Sequence, residues 1–247
     1  MTEKPTQTTI AGFAIRRTTG PATFRFLQRR WRAGRRAIVF FANANFVIHC
    51  APMRQMIAES PEILLLNDGV ALDIAALLRR GIRFPENLNG TDFTPAFLAA
   101  LDRTARVYLV GGRPGVARTA ADVLSRRYPQ VEICGQVDGY SIWADEAATI
   151  RAINAARPDV LLVAFGNPLQ EKWILQYREA LDVPLILAVG ALFDFLSGTA
   201  PRAPQFIRRV RLEWAYRLAH EPRRLLRRYT IDTLKFFGMA IFDGNKT

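Results

Sequence analysis

Asp68 is a carboxylate in an unusual setting: it follows the apolar run Ile63–Leu66 and Asn67, and Gly69 comes next. An acid at the end of a buried strand, opening on a cleft, is placed to work as a general base. The same position also suits a turn aspartate that caps the following helix. Four other segments interrupt apolar runs in the same way: Asn43-Ala44-Asn45, Gly111-Gly112-Arg113-Pro114-Gly115, Gly166-Asn167-Pro168-Leu169-Gln170-Glu171, and Gly190 with Phe193-Asp194. A glycine-rich turn that opens a helix offers free backbone N–H groups and the positive end of the helix dipole, which can hold a phosphate. The Gly111–Gly115 turn fits that description but lacks the G-x-G-x-x-G spacing, so a plain tight turn explains it equally well. Pro168 followed by Gln170 and Glu171 is, locally, a good helix opening.

Other chemistries have no carrier. There is no Gly-Lys-Ser/Thr phosphate loop, no Asp-x-Asp pair and no serine or cysteine nucleophile motif. His49 and His220 are the chain's two histidines, too few for a histidine-rich metal site. His49 reads as a helix residue near the site and His220 as part of a basic tail. The expected chemistry is therefore metal-free and cofactor-free, run on carboxylate, amide and arginine groups.

Apolar runs of strand length alternate with helical patterns of ten to thirteen residues, the signature of βαβ units around a parallel sheet. Strands are expected at 37–41, 62–66, 106–110, 131–134, 159–164 and 184–189. Helices are expected at 46–60, 70–80, 95–104, 116–128, 144–156 and 170–181, with Gly81 closing the second of them. In an open parallel sheet, ligands bind beyond the C-terminal ends of the strands, where the unusual segments fall. Residues 1–20 read as a loose tail and 24–36 as a short basic helix. After Pro204 an Arg-rich helical stretch, 207–235, is broken by Pro222 and leads into the apolar run Leu234–Phe242. The organisation expected is a basic N-terminal extension (1–36), a Rossmann-like α/β domain (37–200) and a basic C-terminal helical appendage (201–247).

The composition, 50% hydrophobic and 23% charged, fits a globular protein with a sizeable core. No apolar run reaches the roughly 18 residues that span a bilayer, and no export signal is seen at the N-terminus. Cys50 and Cys134 are expected as reduced thiols in a cytoplasmic protein. The net charge of +12 is concentrated at the ends. Residues 1–36 carry nine Lys/Arg against one Glu, residues 37–200 fourteen against seventeen acids, and residues 201–235 ten against three. Basic ends point to an anionic partner: nucleic acid, a membrane face or a phosphorylated substrate. A basic helix pair with an aromatic, apolar tip is what an interfacial membrane anchor needs, although a C-terminal helix docked on the core has the same pattern. An apolar tail can also drive self-association into a homo-oligomer. A nucleic-acid partner is not expected, because the slightly acidic middle shows no paired aromatics of an RNA-binding sheet. A non-catalytic membrane-associated protein would need neither Asp68 nor Gln170.

Taken in order, these segments resemble the bacterial WecG/TagA/CpsF glycosyltransferases (glycosyltransferase family 26), which include the xanthan-type GumM enzymes. The matching stretches are Asn43-Ala44-Asn45, Asn67-Asp68-Gly69, Asn89-Gly90-Thr91-Asp92, Gly111–Gly115, Asp138-Gly139-Tyr140, Gly166–Glu171, Val189–Gly198 and Arg202-Ala203-Pro204. Glu213-Trp214 and the run from Glu221 to Tyr229 complete them. The resemblance implies an inverting, metal-independent transfer from a UDP-sugar to a sugar on a polyprenyl diphosphate, at the cytoplasmic face of the membrane. It implies Asp68 as the base, Asn43 near the donor sugar and Gln170 at the sugar-nucleotide pocket. Gly111, Gly112, Gly115, Tyr140, Gly166, Pro168, Glu171, Gly190 and Asp194 are the implied substrate-binding positions. Arg217, Arg224, Arg227 and Arg228 would offset charge on the departing UDP and the lipid diphosphate in place of a metal ion. Phe41 and Asn87 stand where several relatives have Thr and Arg, which leaves N-acetylmannosamine, its uronic acid and glucose as donor sugars.

Overall fold

The computed structural model of the chain describes residues 6–204, 206–207, 213–220 and 222–242, the side chains of 213, 217, 220, 224, 225, 227–229 and 242 excepted. Its centre is an eight-stranded sheet in the order β1-β2-β4-β3-β8-β7-β5-β6. The strands are β1 (Gln7–Ile10), β2 (Phe13–Arg16), β3 (Ala37–Ala42), β4 (Ile63–Asn67), β5 (Ala105–Gly111), β6 (Val131–Val137), β7 (Val160–Ala164) and β8 (Leu185–Ala188). All pairings are parallel except β1 with β2.

Successive side chains of a strand point to opposite faces, so each inner strand feeds two cores. Ile38, Phe40 and Ala42 of β3 enter one core; Ala37, Val39 and Phe41 enter the other. The first core is covered by α2 (Ala44–His49), α4 (Val70–Arg80), α7 (Glu146–Ala156) and α8 (Leu169–Tyr177). The second is covered by α1 (Gly20–Arg32), α5 (Gly90–Ala99), α6 (Val116–Arg127) and α9 (Leu192–Ser197). Burial on both faces explains why the inner strands read as unbroken apolar runs rather than alternating ones.

Three local expectations are corrected. Residues 7–16 are not a loose tail but the β1–β2 hairpin, which joins the sheet edge through β4. Thr8, Ile10, Phe13 and Ile15 are the buried side chains of its strands, and Ala11 (φ 48°), also buried, and Gly12 (φ 76°) make its two-residue turn. The helix expected over 24–36 instead starts at Gly20, with Pro21 in its first turn. The helix expected over 46–60 is broken into α2, a 3-10 turn at Ala51–Met53 and α3 (Arg54–Ala58). Pro52, which has no N–H to donate, sits at the break.

At the C-terminus, helices cover Glu213–His220, Pro222–Arg227 and Thr233–Phe242, with a π turn at Arg228–Asp232. The last helix docks on the body of the protein: Phe236 and Ala240 enter the first core. Among the described residues, no helix is long and apolar enough to cross a membrane.

Candidate active site

Strand register brings the first two residues of the site together. Ala42 of β3 lies opposite Asn67 of β4, so the next residues, Asn43 and Asp68, leave the sheet side by side. The Asp68 N–H donates to Ala42 O (2.7 Å), which holds the two strand ends level. Asn43 is extended (φ −131°) and caps α2, its Oδ1 accepting from Phe46 N at 3.0 Å. That cap fixes the amide so that Nδ2 faces Asp68 and donates to its Oδ2 at 3.0 Å. Asp68 does not cap the following helix. Gly69 takes that position with φ 103° and no side-chain cap, and its N–H donates to Asn87 Oδ1 at 2.7 Å.

The pair opens into a cavity of about 1140 Å³ that runs across the C-terminal ends of β4, β3, β8, β7 and β5. Asn43, Asp68, Gly112, Tyr140, Gly166, Gln170, Gly190 and Asp194, all singled out in the sequence, line it. Gly111, Pro168 and Glu171 do not line it, and Gly115 lies in a smaller cavity of about 450 Å³ with Arg118 and Asp138. The side chains of Arg217, Arg224, Arg227 and Arg228 lie outside the described residues. Trp214, Thr233 and Phe237, from the C-terminal helices, do reach the cavity wall.

Gly111 serves the site by having no side chain. At φ 124°, a Cβ there would fall 2.5 Å from the Ala164 carbonyl oxygen. The next residue, Gly112, donates its N–H to the same oxygen (3.0 Å) and accepts from Gly139 N (2.8 Å). This close approach draws the β5 loop and the 138–140 turn over the cavity. Asp138 builds that turn by accepting from Ser141 N, Tyr140 N and Ser141 Oγ. Those bonds, the Ser141 backbone first, hold its carboxyl below the ordinary range. The turn presents Tyr140 and Trp143, both exposed, at the rim, where Trp143 leans on Phe165 at 5.5 Å between ring centroids.

On the far wall, Gln170 is buried and its amide is fully engaged. Oε1 accepts from Gly166 N (3.2 Å) and Gly190 N (3.1 Å); Nε2 donates to Glu171 Oε1 (2.8 Å) and Ala188 O (3.4 Å). Asn167 Nδ2 donates to the same Glu171 oxygen. Burial pushes the Glu171 carboxyl up to about 7.

Several lining residues carried no assignment from sequence. Asn45, Asn89, Asp92, Arg113 and Trp143 all face the cavity, as do Phe41 and Asn87, which the family resemblance had tied to the donor sugar. Asn89 and Asp92 form a helix opening: Asn89 Oδ1 accepts from Asp92 N (2.9 Å) and its Nδ2 donates to Asp92 Oδ2 (2.9 Å). The spacing of Asn89-Gly90-Thr91-Asp92 is a capping signal, and it could have placed α5 earlier than Pro95. Arg202 then latches onto this turn, ion-paired with Asp92 and donating to Thr91 O at 2.9 Å. Thr91 O is the carbonyl that Pro95, lacking an N–H, leaves unpaired in α5.

Among the described lining residues, Asp68, Asp92 and Asp194 are acidic and Arg113 is the cation. Among the described residues, no group of three His, Cys, Asp or Glu side chains is placed to hold a metal ion. His49 stays outside the cavity, its Nε2 4.0 Å from Asp232 Oδ2 in the π turn. The arrangement can offer a carboxylate oriented by Asn43 to an incoming hydroxyl, the Arg113 cation to a polyanion and aromatic faces to a planar ring.

A profile described as "Glycosyl transferase WecG/TagA/CpsF family" matches residues 8–246. The chain is 32% identical over 168 residues to a protein of Bacillus subtilis (strain 168) named N-acetylglucosaminyldiphosphoundecaprenol N-acetyl-beta-D-mannosaminyltransferase. It is 33% identical over 168 residues to a protein of the same name from Bacillus spizizenii (strain ATCC 23059 / NRRL B-14472 / W23). Each match covers 68% of this chain and 64% of the relative.

Proposed function

This chain belongs to the glycosyl transferase WecG/TagA/CpsF family, and on that premise we propose that it transfers a hexose-type sugar from a UDP-sugar to a sugar carried on a polyprenyl diphosphate. The observation that carries the reading is the Asn43–Asp68 pair at 3.0 Å, held by strand register and facing the cavity. Asp68 accepts the proton of the acceptor hydroxyl as its oxygen attacks the anomeric carbon. The bond from that carbon to the β-phosphate oxygen breaks, and its electron pair leaves with UDP. Attack from the side opposite the leaving group inverts the anomeric configuration. Asn43 donates to Asp68 Oδ2 and so holds the carboxylate in place toward the cavity.

The donor lies between the aromatic rim and the Gly166 and Gly190 loops, with Tyr140 and Trp143 offering faces to the uracil ring. The developing charge on UDP is met by Arg113 at the cavity wall and by the arginines of the C-terminal helices, so no metal ion is needed. The names of the Bacillus relatives make N-acetylmannosamine the first donor to test and a diphosphoundecaprenol-linked N-acetylglucosamine the first acceptor. On this reading the protein works peripherally on the cytoplasmic face of the membrane that carries its acceptor; exposed Leu234 and Ile241 on the last helix are suited to that contact.

The test is a donor screen: purified protein, a synthetic polyprenyl-diphosphate-linked N-acetylglucosamine, a panel of UDP-sugars and EDTA throughout, read by UDP release and product mass. One UDP-sugar giving product with EDTA present supports the reading and names the donor. Binding of UDP without product from any donor points to another acceptor. The absence of both UDP binding and product refutes the reading.

A further inference from the structure

We infer that Glu171 is a positioning residue: it fixes which way round the Gln170 amide sits, and so sets the two glycine loops that form one wall of the donor site. The inference rests on the cavity being that donor site.

The two ends of a carboxamide have nearly the same shape and opposite hydrogen-bonding character. At Gln170 the choice matters on both sides. Its oxygen faces two donors, the N–H groups of Gly166 and Gly190, which lie beyond the ends of β7 and β8 and both line the cavity. Both glycines adopt left-handed backbone conformations, φ 77° and 56°. A reversed amide would set its NH₂ against two N–H donors and leave both backbone groups unmade. The opposite end of the amide faces two acceptors, Glu171 Oε1 at 2.8 Å and the more distant Ala188 O at 3.4 Å. Glu171 is thus the nearer group rewarding the observed orientation.

Several features bear on whether Glu171 acts through Gln170 or serves the fold alone. Glu171 is fully buried and does not line the cavity, so it does not touch substrate. Its Oε1 takes both Gln170 Nε2 and Asn167 Nδ2, and Asn167 is itself a lining residue. Its Oε2 makes no hydrogen bond among the described residues. A carboxylate kept for packing alone would have little reason to gather all its bonds on the oxygen that faces the Gln170–Asn167 pair. An unpartnered buried oxygen is unfavourable and invites replacement by an apolar side chain, unless the other oxygen does something no such side chain can.

The test compares Glu171→Met, which removes the acceptor, with Glu171→Gln, which keeps one oxygen for Gln170 and Asn167 in the same volume. Two readouts are taken on each: hydrogen exchange at the Gly166 and Gly190 amides, and KM for the UDP-sugar beside kcat. For Glu171→Met, exchange at both glycines and the donor KM should each rise about tenfold or more, the effect of leaving a buried hydrogen bond unmade, with kcat within about threefold. Glu171→Gln should stay within about threefold of the parent on all three. A folded Glu171→Met with both amides still protected and KM unchanged overturns the inference. If Glu171→Met does not fold, Glu171→Gln decides it: unprotected glycines or a raised donor KM in that variant mean that the acceptor oxygen is not what matters. Exchange needs no substrate, so a failure of the glycosyl-transfer reading shows separately, as a parent protein that neither binds UDP nor turns over.

Discussion

Asn43 Nδ2 lies 3.0 Å from Asp68 Oδ2, although the residues are 25 apart in sequence. The contact needs no long side chain, because Ala42 and Asn67 are register partners on adjacent parallel strands. The same amide also caps α2 through Oδ1. A single side chain therefore starts a helix with one atom and orients the base with the other.

The two roles can be separated. Asn43→Ser keeps a cap oxygen but removes the donor to Asp68. Stability should change little, while kcat should fall about tenfold or more, within the range for an interaction that aids general-base catalysis. Thermal unfolding and steady-state kinetics of the same variant check both halves.

Glu171 makes stability depend on pH. Burial raises its carboxyl from 4.5 in the unfolded chain to about 7 in the folded protein. Its contribution is fully present below about 4.5 and is lost as pH rises through about 7, because the folded state must then carry a buried charge. Glu171→Gln has no such charge. Relative to the parent it should gain stability between pH 5 and pH 8, by up to roughly 3 kcal/mol. Denaturant unfolding of both proteins at the two pH values measures the difference; a constant offset would contradict it.

Gly111 admits no other residue. A Cβ at φ 124° and 2.5 Å from Ala164 O meets both backbone strain and a clash with an immovable carbonyl. Gly111→Ala should destabilise the protein by about 2 kcal/mol or more and disturb the Gly112–Gly139 bond that shapes the cavity rim. Chemical denaturation together with UDP affinity reports both effects.

Arg202 completes a helix that Pro95 leaves open. Arg202→Met leaves Thr91 O without its donor and Asp92 without its ion pair. A loss of about 1–2 kcal/mol is expected, because both groups are only partly buried. Thr199, Ala200 and Pro201 line the cavity just before Arg202, so a substrate KM should rise as well. Unchanged stability would show that the latch contributes nothing.

Much of the site was legible in sequence because parallel sheets buried on both faces write themselves plainly. Unbroken apolar runs marked β3, β4, β5, β7 and β8, and any polar or glycine residue ending one had to lie at the mouth. Asn43, Asp68, Gly112, Gly166 and Gly190 were found that way. What sequence hid was direction and partnership. Locally Gln170 and Glu171 read as a helix opening, and the family resemblance made both pocket residues; Gln170 does line the cavity but spends its amide on two backbone N–H groups, and Glu171 is sealed behind it. The edge hairpin at residues 7–16 was masked by the polar, Thr-rich stretch 1–9 in which it begins, although Thr8, Ile10, Phe13 and Ile15 alternate as a half-buried strand pair must. Asp92 and Arg202 meet only through tertiary folding, and no local pattern announces a pair 110 residues apart.

The central claim is that Asp68 takes the acceptor proton. Its most direct measurement is single-turnover glycosyl transfer by Asp68→Asn, with UDP affinity measured on the same preparation. The account predicts an unchanged UDP affinity and a rate lower by about 100- to 10,000-fold, the usual contribution of a positioned general base. A variant that binds UDP and turns over at the parent rate would contradict it.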